Sequence, residues 1–269
     1  MEEGITMQEI DFRLKKVAVV GATGKMGAMF CTRFANAGLE VAKIDQPLTD
    51  DVLQANIAEA QIVLVCVPAA VFNDVVKRVT AHMKPPQILA DITSVKVQPM
   101  MQMQKAYTGP VVGTHPLFGP EPKVDDVRVA ITPSEGCDAE SARMVEDLFT
   151  SIGCEPFCSS AEEHDKAAAL IQGLNFVTSV SYLALLADKE NVIPYLTPSF
   201  ERRLKAAEKM ITKDAELFEG LFEANPSSQD AVRSYRSILN IAAGGDINVI
   251  VERALWWWRF TDSTGEVHQ

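Results

Sequence analysis

Five short runs in the first half of the chain are apolar at nearly every position: Lys16–Val20 (KVAVV), Val41–Ile44, Ile62–Val67 (IVLVCV), Ile88–Ile92 and Val111–Thr114. Strands read this way when a parallel sheet buries them on both faces. Between them, Lys25–Ala37, Ala69–His82 and Pro99–Tyr107 carry helical periodicity. Arg128–Thr132 predicts a further strand, Ala139–Ile152 a helix with a polar start, and Glu155–Cys158 an edge strand. The alternation of strand and helix predicts an α/β fold with a Rossmann-type doubly wound, mainly parallel sheet.

Near residue 160 the pattern changes, and no strand candidate follows. Helices are expected at about 161–188, 198–212, 213–224, 226–243 and 245–259, punctuated by Pro194, Pro198, Pro226 and Gly244–Gly245. This divides the chain into a dinucleotide-binding domain, residues 1–159, and an all-α dimerisation and substrate domain, residues 160–269. The stretch Ala167–Ala187 is apolar around much of its circumference. Such a helix is normally covered by others, so a homodimer through the helical domain is expected. No apolar run is read as reaching the roughly 20 residues that span a bilayer.

Composition narrows the class. At 269 residues, with 47% hydrophobic and 23% charged residues, the chain can bury a sizeable core and suits two domains. A net charge of −11 argues against nucleic-acid or anionic-membrane partners. An anionic small-molecule substrate would need local cations. The cysteines Cys31, Cys66, Cys137, Cys154 and Cys158 contain no C-x-x-C pair and predict reduced thiols and no metal site. The acidic start MEEGITMQEIDF lacks the features of an export signal, so a cytoplasmic protein is expected.

The first chemistry-bearing segment is Gly21-Ala22-Thr23-Gly24-Lys25-Met26-Gly27, between a strand and a helix. Gly21 lets the chain turn off the strand, Gly24 lets backbone approach a pyrophosphate, and Gly27 allows close helix–strand contact. The spacing is G-x-x-G-x-x-G, so strand, loop and helix together carry the reading. Asp45 ends the next strand, where a carboxylate accepts from ribose hydroxyls and repels a 2′-phosphate. NAD is therefore expected over NADP. Cys66-Val67-Pro68 should line the crevice at the same sheet edge, with Cys66 a small buried residue.

Two further segments end strands at that edge: Thr93-Ser94-Val95-Lys96 and His115-Pro116-Leu117-Phe118-Gly119-Pro120. A histidine aimed from a stiffened loop suits proton exchange with a hydroxyl during hydride transfer. Ser94 could bond that histidine or the nicotinamide, and Lys96 an anionic group. Singly, each also reads as a loop histidine, a capping serine and a solvated lysine.

The segments GATGKMG, VCVP, ITSVK, GTHPLFGP and EHDKAAALIQGL, with Asp45, occur in the order and spacing of the prephenate dehydrogenases. From about Lys16 to about Trp258 the chain resembles the dehydrogenase module of the bifunctional chorismate mutase–prephenate dehydrogenases, without the mutase. HPLFGP and SVK carry most of the specificity. The resemblance implies NAD-dependent oxidative decarboxylation of prephenate to 4-hydroxyphenylpyruvate in tyrosine synthesis, without a metal. It makes His115 the catalytic histidine, Ser94 its orienting serine and Lys96 a lysine near the cofactor.

The helical half departs from that pattern. Lys209 stands where the family places a carboxylate-binding arginine, and a lysine lacks the bidentate fork. A second arginine position falls on Glu201, beside Arg202 and Arg203, and a histidine position falls on Phe176. Lys209, Arg202 and His164 are the candidate substrate contacts. Arogenate or 4-amino-4-deoxyprephenate is the alternative substrate, and a non-catalytic NAD-binding regulator the alternative function. Trp256-Trp257-Trp258 reads as packing or dimer contact.

Overall fold

The structure, a computed structural model, describes residues 14–123 and 127–259. Seven strands form one sheet: β1 (Lys16–Val20), β2 (Glu40–Ile44), β3 (Ile62–Val65), β4 (Ile88–Asp91), β5 (Val111–Pro116), β6 (Arg128–Pro133) and β7 (Glu155–Cys158). Their order is β2-β1-β3-β4-β5-β6-β7, and only β6 against β5 is antiparallel. The helices are α1 (Lys25–Asn36), α2 (Asp50–Ile57), α3 (Ala69–Thr80), α4 (Val97–Ala106) and α5 (Ala139–Thr150).

Successive strand residues serve opposite faces, which is why the runs are apolar throughout. Val17, Val19, Ile62, Leu64 and Ile88 pack on one side with Phe30 and Phe34 of α1 and Val145, Leu148 and Phe149 of α5. There Phe30 stacks on Phe34 at 5.5 Å, and Phe149 meets Phe30 edge-on at 5.6 Å. Ala18, Val20, Val63, Val65 and Leu89 pack on the other side with Leu53 and Ile57 of α2, Phe72 and Val76 of α3, and Met100 and Met103 of α4. The doubly wound sheet reverses strand order between β1 and β3, and ligands of open α/β sheets bind outside the carboxyl ends of strands at such a point.

Downstream lie α6 (Ala161–Ala168), a π-helical turn at Ala169–Gly173, α7 (Leu174–Leu185), and a short 3-10 segment at Glu190–Tyr195. Then come α8 (Pro198–Thr212), α9 (Ala215–Ala224), α10 (Ser228–Ala243), α11 (Ile247–Ala254) and a 3-10 turn at Leu255–Trp258. The chain separates into two compact units later than residue 159. One runs to Ala168 and regains Glu219–Asn225, and the other holds 169–218 and the residues from Pro226 onward.

One sequence expectation needs correction. Ala161–Leu185 is a continuous 25-residue helical run that is long and apolar enough to cross a bilayer by length and composition. The polar residues within its apolar part, Gln172, Asn175, Thr178, Ser179 and Ser181, carry no charge, so the run passes on length and composition. None of the α7 residues is buried within the chain.

Candidate active site

At the carboxyl end of β1 the backbone turns through Gly21, whose φ is +86°. A Cβ on Gly21 would lie 2.4 Å from the Cys66 carbonyl oxygen, and one on Gly27 2.1 Å from the Gly21 carbonyl oxygen. Both positions need glycine for close approach, the first also for its left-handed backbone. Gly24 caps α1 with extended backbone and no side chain, so the first turn of the helix faces outward, bare. Ala22 is buried, Met26 packs against the core, and Thr23 and Lys25 are exposed.

Asp45, just past β2, braces this loop. Its Oδ2 accepts from the Thr23 amide at 2.8 Å and the Thr23 hydroxyl at 2.6 Å, and its Oδ1 from the Gln46 amide at 2.8 Å. The Thr23 bonds hold its carboxyl below the usual range. An ionised carboxylate has lone pairs for further donors. Cys66 is buried, and burial pushes its thiol well up; Val67 is half-buried, and Pro68 caps α3.

His115 lies inside β5, one residue beyond the expected strand end, because antiparallel β6 extends the ladder and pairs it with Ala130. It is buried, and that burial, reinforced by His164 and Lys96, holds its pKa well below 6.5. The ring is therefore neutral at ordinary pH. Its Nδ1 lies 2.8 Å from His164 Nε2, and His164 Nδ1 lies 2.9 Å from Asp165 Oδ1.

Asp165 also accepts from the Lys96 amide at 2.7 Å and the Val97 amide at 3.0 Å, at the start of α4. Its backbone carbonyl accepts from Asn225 Nδ2 at 2.8 Å. The acidic start of α6 is thereby tied to the amino end of α4, where a carboxylate is favoured.

Lys96 is fully buried rather than solvated. Its Nζ donates to both carboxylate oxygens of Asp91, at 2.8 and 2.7 Å, to the Thr114 carbonyl at 2.6 Å and to the Thr93 hydroxyl at 3.1 Å. Its ammonium is thus committed to a buried ion pair with Asp91. Ser94, expected to orient His115, makes no side-chain hydrogen bond among the described residues; His164 takes that position. His164, expected to touch substrate, is a buried partner of His115.

In the second unit Arg202 is exposed on α8, and Lys209 pairs with Asp214 at 3.7 Å. Asp91, Asp165 and Asn225 were not expected from the sequence. Asp91 did carry a signal: an acid at the end of the buried run ILAD needs a buried partner.

Residues 32–156 match the family model described as prephenate dehydrogenase, nucleotide-binding domain. The T-protein of Haemophilus influenzae is 28% identical over 226 residues, covering 81% of this chain and 58% of the relative. The cyclohexadienyl dehydrogenase of Zymomonas mobilis is 28% identical over 184 residues, 62% of either chain. The chain thus spans about six-tenths of the length of these relatives. Among solved structures, a prephenate dehydrogenase from A. aeolicus, in complex with hydroxyphenyl propionate and NAD+, shares the fold. Its TM-score is 0.72 at 16% identity, over 91% of this chain and 96% of that one.

Proposed function

We propose that this chain, whose residues 32–156 match the prephenate dehydrogenase nucleotide-binding family model, oxidatively decarboxylates prephenate to 4-hydroxyphenylpyruvate with NAD, as a step in tyrosine synthesis. The observation that carries this reading is a buried His115, held 2.8 Å from His164, at the same carboxyl edge of the sheet as the Gly21–Gly27 cradle.

The cradle fits a dinucleotide. The Gly21 and Gly27 contacts leave no room for side chains, α1 presents its bare amino end to a pyrophosphate, and Asp45 is placed for ribose hydroxyls. NAD, when bound, would supply the hydride acceptor. His115 accepts the substrate hydroxyl proton as the ring C–O acquires carbonyl character. Carbon dioxide then departs, its bonding electrons aromatise the ring, and His115 returns the proton to the phenolate oxygen. Aromatisation supplies driving force, so the protein's task is chiefly orientation and charge placement.

Incubation with NAD and prephenate is expected to raise the absorbance of reduced nicotinamide and release carbon dioxide in equal amounts; no absorbance rise would refute the reading. Arogenate and 4-amino-4-deoxyprephenate belong in the same assay. Lys209 stands where the resemblance places a carboxylate-binding arginine and is paired with Asp214, which is why these two are kept as the alternative substrates. The highest kcat/KM decides between them.

The partner we assign to the helical unit is a second copy of the chain. Its exposed apolar residues include Ile171 (63%), Leu185 (62%), Ile247 (57%) and Trp256–Trp258 (50–60%), more than a lone soluble surface normally carries. Sedimentation without detergent is expected to give a dimer. A monodisperse monomer, or protein recovered only with membranes, would overturn that assignment.

A further inference from the structure

We propose that His164 and Asp165 are positioning residues that fix the ring tautomer of His115, so that its Nε2 carries the lone pair that accepts the substrate proton. The inference rests on the reading of His115 as the base.

The direction of the chain follows from its fixed end. A carboxylate oxygen only accepts, so His164 Nδ1, 2.9 Å from Asp165 Oδ1, carries a proton. The arrangement we propose puts a single proton on each ring, so His164 Nε2 is the acceptor. The His115 Nδ1, 2.8 Å away, must donate to it. One proton remains for the neutral His115 ring, and it is spent on Nδ1. Nε2 is left with its lone pair and no hydrogen-bond partner among the described residues. An isolated histidine would divide itself between two tautomers, one of them unable to act as base at this atom.

Asp165 is itself immobilised. Its two oxygens accept from the Lys96 and Val97 amides, and Asn225 holds its backbone. The chain is therefore anchored to the start of α4 and does not depend on solvent. The charged or titratable groups around His115 are His164 and Asp165 from α6, Lys96 ahead of α4, and Asp91 on β4; its β6 neighbour is Ala130.

Two readouts test the assignment. Long-range proton–nitrogen correlation on protein with labelled histidines reports which ring nitrogen is protonated, whether or not the protein turns over. The chain has four histidines, so variants assign them. The wild type is expected to show Nδ1–H with an unprotonated Nε2 for both His115 and His164. His164→Ala is expected to lose that preference at His115 and to lower kcat by roughly 10²-fold, with KM little changed. His164→Gln, whose amide oxygen can accept from His115 Nδ1, should restore the tautomer and most of the rate, and it guards against simple misfolding of the alanine variant. A wild-type His115 protonated on Nε2, or a His164→Ala variant with unchanged tautomer and kcat, would overturn the proposal. A wild type with the stated tautomers that oxidises none of the three cyclohexadiene acids would sink the functional reading and leave the chain intact.

Discussion

His115→Asn is expected to lower kcat by about 10³-fold with all three cyclohexadiene acids while leaving NAD affinity within a few-fold of wild type. Asparagine is near in size and can still bond His164, but it offers no basic nitrogen. The Gly21–Gly27 cradle and Asp45 come from β1, α1 and β2 and make no hydrogen bond to His115. The same variant should alter the acid side of stability. His115 is held well below 6.5 by burial first and then by His164 and Lys96. Below pH 6.5 the unfolded chain therefore binds a proton that the folded chain refuses, and native stability falls as pH drops. Asparagine does not titrate, so melting temperature should decline less steeply below pH 6.5 in the variant. Retained turnover in single-turnover kinetics would remove His115 from the chemistry, whatever the melting curves show.

The strands and the cradle were legible because each depends on local pattern. KVAVV is buried on both faces, and GATGKMG needs its glycines for contacts within a few residues or with the neighbouring strand end. α2 leaves no trace in the hydrophobic pattern, although Thr49 caps it by accepting from the Val52 amide at 3.4 Å and Asp50 and Asp51 fill its first turn. Its single turnful of apolar contacts, Leu53 and Ile57, is too short for periodicity to register. The long helix reads as one piece in the sequence because its π turn contains no proline to break it.

The site was half legible. His115 stood out by type and place, yet its partners sit far along the chain: His164 is 49 residues away, and Asp165 meets the Lys96 amide across 69. Spacing cannot reveal a contact that the packing of α6 creates. Lys96 is the reverse case. The sequence offers this lysine an anionic group or a place near the cofactor, with solvation the plain alternative, and only the acid at the end of the β4 run hints at a buried partner that neutralises it.

That neutralisation underlies the second large effect. Asp91→Ala is expected to cost about 3–5 kcal/mol of stability, because it strands the Lys96 ammonium in a fully buried site. Asp91 also accepts from the Thr114 amide at 3.2 Å, one residue before His115, so the placement of the base should loosen as well. The pH dependence has a definite sign. Burial lowers the Lys96 pKa and Asp91 raises it, so without Asp91 only the lowering influences of burial remain opposed by the more distant Asp165. Between the depressed folded pKa and the ordinary value of 10.5 the unfolded chain binds the extra proton, so the variant's stability should recover as pH rises. Replacing both partners, Asp91→Ala with Lys96→Met, removes the stranded charge and should regain most of the loss. Urea unfolding of the three proteins at pH 7 and pH 9 measures both effects. If Asp91→Ala unfolds within about 0.5 kcal/mol of wild type, a limit ordinary for surface substitutions, the pair is not what holds β4 and β5 in register behind the histidine.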